Sequence, residues 1–472
     1  MTQALRGVAI GVGLCFAIGG VPSAAGALPG DLDLQTYVQI GGQEPAEYAS
    51  DIVLQPDGKI VTGGGTGTQT DFVVVRQMPS GLLDSTFDGD GKVRTDFGGV
   101  QRIHGLVVQS NGRIVGAGTT GGSTGSGDFA LARYRSDGSL DVSFGGDGFV
   151  TTDFGGNETG WDIALQQDGK LVVVGGSPGG ASDFLLARYN PDGSLDDTFG
   201  DDGRVNDDFG ATEHAFAVVV QSDGRIVAAG SGGSQNFVLA RYNSDGSFDE
   251  SFAGDGVAHV DFGGVEQAMD LAIQSDDKIL AVGLTFHPGT GARDFAIARL
   301  SPDGSLDTQG LDPFMDAPFG TGGKVTTDFG GQEDAAQAVA VEPSGRFVVA
   351  GWGSPVEHAV SDPSDFALAR YNVDGNFDTS FGVGGKVLIR FAGQDQAHGV
   401  AVQSDGRIVA GGGSAMESRD SSFALARSVV RPCCTAEGQP PGDGPVAQDE
   451  PGNAPPGQDG PGKTPRPGGF RR

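Results

Sequence analysis

The sequence predicts an all-β protein, a seven-bladed β-propeller with four antiparallel strands per blade. Three observations predict it: a repeated turn motif, four short strand signals in each repeat, and termini that complement each other. The turn has the form Q-x-D-G-K/R and begins at Gln55, Gln109, Gln166, Gln221, Gln274, Glu342 and Gln403. Its fourth position runs from Gly58 to Gly406, seven copies spaced by 58 residues on average, with Asp277 in place of the glycine in the fifth copy. A period of this length with several strands per copy marks a propeller, because solenoid coils repeat every ~20–30 residues.

The second copy shows the unit in order. A strand is expected over residues 103–109, then a Ser110-Asn111-Gly112 turn, then a second strand over 113–117. Asn-Gly and Asp-Gly supply the positive-φ positions of tight hairpins. A Gly/Ser loop leads to a third strand over 129–134, and Asp137-Gly138 opens a compact connector through Leu140, Asp141 and Phe144. Asp147-Gly148 turns into a fourth strand over 149–154, which Gly155-Gly156 ends. The fourth-strand signal also stands ahead of the first turn, at about residues 34–40, while the last copy stops after its third strand, at 423–427. Pairing the N-terminal strand with the last three closes the ring and hides the edges that an open array leaves exposed.

Composition excludes other classes. The chain has 472 residues and a formal net charge of −31, with a pI of about 4.3. So acidic a surface repels phosphate backbones, so no nucleic-acid partner is expected. Its 84 glycines lack a period of three, which excludes collagen, and 37% hydrophobic residues exclude global disorder. Residues 1–27 read as a signal peptide: Arg6 is the basic start, residues 8–18 are apolar, and Ser23, Ala24, Ala25 and Ala27 suit cleavage. That apolar run is too short to span a membrane, and no other long apolar stretch follows, so a secreted or cell-surface protein without a transmembrane segment is expected. The propeller is expected over residues 28–430. Residues 431–472, rich in Pro and Gly, read as a disordered tail carrying Cys433 and Cys434.

Columns read across the repeats separate structural from candidate functional positions. Arg76, Arg133, Arg188, Arg241, Arg299, Arg370 and Arg427 share one column, and Asp33, Asp84, Asp141, Asp196, Asp249, Asp307 and Asp378 share another. Seven equal copies point to a repeated ion pair inside each blade, since the planar guanidinium satisfies several acceptors at once. Two phenylalanine columns, one containing Phe129 and one containing Phe144, are expected to pack between blades.

Five residues before the turn Gln stand Ser50, His104, Trp161, Phe216, Met269, Gln337 and His398. This mixed column opens the innermost strand. His104, Trp161, Phe216, Gln337 and His398 are candidate ligand-binding residues at the axial mouth, with His104 and His398 as candidate catalytic groups; plugging or inter-blade packing is the competing role. Eight residues before the turn Gln, six of seven residues are acidic, including Glu158, Glu213, Glu266, Asp334 and Asp395. These five could ring a hard cation such as calcium, which wants six to eight oxygens. The uniform spacing favours blade capping by backbone N–H groups instead. No cofactor other than calcium is suggested. The largest departures from the unit are residues 308–318 and 355–364, where a binding loop or a tolerated insertion fits.

No metalloprotease, phosphate-loop or serine-hydrolase pattern occurs. The unit Phe129-Ala130-Leu131-Ala132-Arg133-Tyr134, Ser136-Asp137-Gly138-Ser139-Leu140-Asp141, Phe144-Gly145-Gly146-Asp147-Gly148 and Thr151-Thr152-Asp153-Phe154-Gly155-Gly156 resembles the delta-60 repeat family. The resemblance spans about residues 31–428. It implies a bacterial, exported β-propeller and no particular activity. The leading expectation is a monomeric binding or scaffold module for an extracellular protein or glycan. An axial-mouth enzyme that cleaves a polysaccharide or ester, and a structural envelope protein, are the alternatives.

Overall fold

The computed structural model describes residues 32–40, 47–66, 71–121, 127–177, 183–210, 213–232, 235–308, 318–331, 333–354, 364–391, 393–416 and 421–428. The expected signal peptide, the tail with its cysteines and nearly all of both insertions lie outside them. Short strands joined by Asp-Gly and Asn-Gly turns form seven sheets of four. The first strand is β1 (Leu32–Val38). Blade 1 is β2 (Glu47–Leu54), β3 (Ile60–Thr66), β4 (Phe72–Gln77) and β5 (Lys92–Thr95). Blade 2 is β6 (Val100–Val108), β7 (Ile114–Gly121), β8 (Gly127–Tyr134) and β9 (Phe149–Thr152). Blade 3 is β10 (Thr159–Leu165), β11 (Leu171–Gly176), β12 (Phe184–Tyr189) and β13 (Arg204–Asp207). Blade 4 is β14 (His214–Val220), β15 (Ile226–Ser231), β16 (Phe237–Tyr242) and β17 (Val257–Val260). Blade 5 is β18 (Val265–Ile273), β19 (Ile279–His287), β20 (Ala292–Leu300) and β21 (Lys324–Thr327). Blade 6 is β22 (Ala335–Val341), β23 (Phe347–Gly353), β24 (Asp365–Tyr371) and β25 (Lys386–Ile389). Blade 7 is β26 (Gly393–Val402), β27 (Ile408–Met416) and β28 (Ser421–Ser428), completed by β1.

Ring closure follows the sequence reading. β1 pairs antiparallel with β28, from Leu32 opposite Ser428 to Val38 opposite Phe423. The strand starts two residues earlier than the pattern suggests, and the fourth strand of blade 2 stops at Thr152 rather than 154. Phe154 instead turns inward, with its ring 5.0 Å from that of Phe129.

The core lies between blades. One cluster joins Val227, Leu239 and Phe252 of blade 4 to Leu271, Ile279 and Leu300 of blade 5, and similar clusters recur around the ring. Second and third strands are buried on both faces, hence their continuous apolar runs.

The Arg and Asp columns meet as expected. Arg188 Nε lies 2.7 Å from Asp196, Arg299 Nε 2.7 Å from Asp307, and Arg427 Nε 2.8 Å from Asp33 across the closure. Three features go beyond the expectation. The last residue of the turn motif supplies a second cation to the same carboxylate: Lys170 to Asp196 at 2.9 Å, Arg113 to Asp141 at 2.8 Å and Arg407 to Asp33 at 3.2 Å. The guanidinium also reaches the next blade, where Arg188 donates to the Ser244 carbonyl at 2.6 Å and Arg427 to that of Pro79. And the second phenylalanine column stacks on the arginines, with Arg188 4.5 Å from the ring centre of Phe199. Each latch therefore joins turn, connector, aromatic ring and neighbouring blade.

Candidate functional site

Every innermost strand carries a β-bulge, and the bulged residue is the member of the mixed column. The pairing register skips Ser50, His104, Trp161, Phe216, Met269, Gln337 and His398 in turn. A bulge leaves one residue out of the ladder and re-aims its side chain. All seven line one cavity of about 350 Å³, together with Tyr48, Arg102 and Gln396 from the strand starts. That volume falls at the low end of small-molecule sites, about 300–1,000 Å³.

The bulges are made by glycines on the second strands. A Cβ at Gly64, Gly118, Gly175, Gly230, Gly283, Gly351 or Gly412 would stand 1.7–2.0 Å from the carbonyl oxygen two residues before the bulged residue. Only a residue without a side chain admits that approach. This sevenfold glycine column was the readable signal for the cavity, and the sequence reading passed over it.

The cavity wall is aromatic on one side. His104 and Trp161 lie 4.5 Å apart between ring centres, and Trp161 meets Phe216 edge-on at 5.5 Å. The Arg102 guanidinium sits 5.2 Å from the centre of the Tyr48 ring. Burial, reinforced by the charge of Arg102, lowers His104 to about 3 and His398 to about 4, so both imidazoles are neutral at pH 7.

The residue after the bulge reveals a second pattern. It is Asp51, Asp162 and Asp270 in blades 1, 3 and 5, and Gly or Ala in the other four. Each aspartate joins its blade to the next. Asp162 accepts the N–H of Ile163 at 2.7 Å and that of Val218 in blade 4 at 2.8 Å, and Asp51 reaches Leu106 in blade 2 at 2.8 Å. Asp270 reaches Val339 in blade 6 at 2.7 Å. The small residues make room: a Cβ at Gly105 would fall 2.9 Å from Asp162 Oδ1. Removal from water pushes Asp162 up to about 7 and, with the charge of Asp162 added, Asp270 up to about 8. Both oxygens of each carboxyl are engaged by backbone N–H groups, so these acids brace the ring. The cavity lining thus combines these three carboxyls with aromatic, imidazole, amide and guanidinium side chains.

The acidic column lies elsewhere. Glu158, Glu213, Glu266, Asp334 and Asp395 are all buried, outside the cavity lining, and they do not converge on one ion. Asp334 accepts N–H groups of Phe329 at 2.7 Å and Ser354 at 2.9 Å. Asp395 accepts Phe391 N–H at 2.7 Å and the Ser414 hydroxyl at 2.5 Å. Glu266 accepts Gly264 N–H at 2.7 Å. The axial cation ring is thus replaced by separate positions at the blade junctions, because the link carrying these acids sits radially outside the bulges.

Six segments, residues 55–87, 109–144, 166–199, 221–252, 274–309 and 342–381, match a family described as a domain of unknown function (DUF5122) beta-propeller. No curated protein matches. Among solved structures the chain is similar to a protein of unknown function from Dyadobacter fermentans, at 11% identity over 82% of this chain and 96% of that one, TM-score 0.43. It is similar to a polysaccharide lyase acting on ulvan, at 11% identity over 83% and 95%, TM-score 0.46. It is also similar to an α-L-arabinofuranosidase of Fusarium graminearum, at 8% identity over 83% and 96%, TM-score 0.43. Among the described residues no helix is long and apolar enough to cross a membrane. Seven closed four-stranded blades and six matched repeats make the chain a β-propeller whose repeats are similar to those this family model describes.

Proposed function

We propose that the protein is an exported, non-catalytic binding module that takes the end of a glycan in its axial cavity. The carrying observation is the set of seven bulges, which turns the one variable column of the repeat into a shared wall. A blade needs no bulge to pack; a bulge repeated seven times around one axis builds a site. The wall offers what a sugar ring needs: the apolar faces of Trp161, Phe216 and Tyr48, the amides of Gln337 and Gln396, and Arg102 as the charged donor. Each oxygen of the braced aspartates accepts a backbone N–H, which supports a positioning role for these acids. Export rests on the N-terminal segment and on the likeness of the repeats to the delta-60 family.

Titration of neutral and uronate-containing oligosaccharides, followed by tryptophan fluorescence and calorimetry, tests the reading. Saturable binding without product, weakened at least tenfold in Trp161→Ala and Arg102→Ala, is expected. Product formation lost in His104→Ala/His398→Ala would make the site an enzyme's. The absence of binding across the panel would leave the structural envelope role.

A further inference from the structure

Three of the seven blade junctions carry a trio of carboxylates. Between blades 2 and 3, one oxygen each of Asp128, Asp153 and Glu158 lie within 4.8 Å of one another. The same positions give Asp183, Asp208 and Glu213 between blades 3 and 4, and Asp294, Asp328 and Asp334 between blades 5 and 6. In each trio the first acid stands at the head of the third strand and the second just past the fourth. The third stands just before the innermost strand of the next blade.

Clustered acids are ordinary on so acidic a chain; Glu158 is not. It is 2% exposed, and its carboxylate accepts the N–H groups of Phe154 and Gly156. Its Oε2 has no hydrogen-bond partner. None of Asp128, Asp153 and Glu158 forms an ion pair among the described residues. A buried carboxylate close to two more is costly unless a cation compensates it or a proton neutralises it. Burial, followed by the nearby charges of Asp153 and Asp128, raises the Glu158 carboxyl above its usual range.

The junctions without a trio show what else fills the place. Between blades 1 and 2, Gln101 replaces the glutamate and directs its amide N–H toward Asp96 at 3.5 Å, while Arg94 pairs with Asp71. Arg390 takes the place of the second acid between blades 6 and 7, and Asn236 that of the first between blades 4 and 5. At that last junction Glu266 Oε2 also lacks a hydrogen-bond partner, but a single aspartate, Asp261, stands beside it.

We propose that the trio of Asp128, Asp153 and Glu158 binds a divalent cation. The all-carboxylate donor set selects a hard ion. Calcium accepts such oxygen donors at about 2.3–2.6 Å in flexible geometry, whereas magnesium demands a near-ideal octahedron. The ion would clamp blade 2 to the first strand of blade 3, three residues from Trp161. This holds whether or not the cavity binds a glycan.

Terbium luminescence on the full chain is the test, because Trp161, which follows Glu158 closely, is well placed to sensitise it. Saturable luminescence displaced by calcium is expected, with a calcium-dependent rise in melting temperature. Asp128→Asn/Asp153→Asn should lower the calcium stoichiometry by one. Asp168→Asn, in the turn at the opposite end of the same blade, should leave it unchanged. Asp153→Asn alone, at an exposed position, serves if the double variant does not fold, and should weaken the same site. Calcium that neither displaces terbium nor raises the melting temperature at millimolar concentration overturns the proposal. So does an unchanged stoichiometry and affinity in the Asp128 and Asp153 variants.

Discussion

Arg188 concentrates the chemistry that holds each blade. Its guanidinium meets Asp196 at 2.7 Å, the Ser244 carbonyl at 2.6 Å, the Thr198 hydroxyl at 3.3 Å and the Phe199 ring face. Removing one partner of a buried pair costs about 3–5 kcal/mol, so Arg188→Ala should lower stability by that order in urea denaturation. Arg188→Lys should recover little of it, since an ammonium cannot reach three acceptors in a plane while stacking on a ring. His104 and His398 carry a different signature. Their folded-state values lie below the ordinary histidine range, at about 3 and 4. At these two positions the unfolded chain therefore binds more protons than the fold once pH drops below about 6.5, so their contribution to stability declines as pH falls toward 4, opposite in sign to that of the raised Asp162 and Asp270. Their imidazole proton resonances should stay at neutral positions down to pH 5, and His398→Gln should gain stability relative to the parent as pH falls from about 6.5 to 4.

At the scale of the element, the innermost strand is shaped by its neighbour. Gly175 lets the Thr159 carbonyl come within 2.0 Å of where a Cβ would sit, and that approach forces Trp161 out of the ladder. Gly175→Ala should cost about 1–3 kcal/mol by overpacking. It should also shift Trp161 fluorescence, which a purely destabilising change elsewhere would leave alone. The strand pattern itself was legible because apolar runs and Asp-Gly turns recur at a fixed spacing. The bulge was not, because its signature lies in a glycine on the paired strand rather than in the bulged residue. The aspartates that brace alternate blades were also missed: three copies in seven do not stand out when columns are read for uniformity.

The whole molecule depends on a single closing strand. β1 completes blade 7, and Asp33 on it takes both Arg407 and Arg427. Deleting residues 32–38 should uncover the edge of β28 and leave Arg427 without its carboxylate. Light scattering should then show larger species than the parent gives, since an unpaired edge recruits other strands.

The sequence by itself determined the blade count, the strand order, the closure and the Arg–Asp pairs, because each is a local pattern repeated seven times. It also singled out the column of Ser50, His104, Trp161, Phe216, Met269, Gln337 and His398 as the variable one. Only the tertiary structure decided where that column and the acidic column go. Residues three positions apart, Glu158 and Trp161, part company at the bulge: one turns into a blade junction, the other into the axial cavity. Distance from the axis sets that division. It arises from how seven twisted sheets pack around a ring, a relation between blades that no single repeat contains.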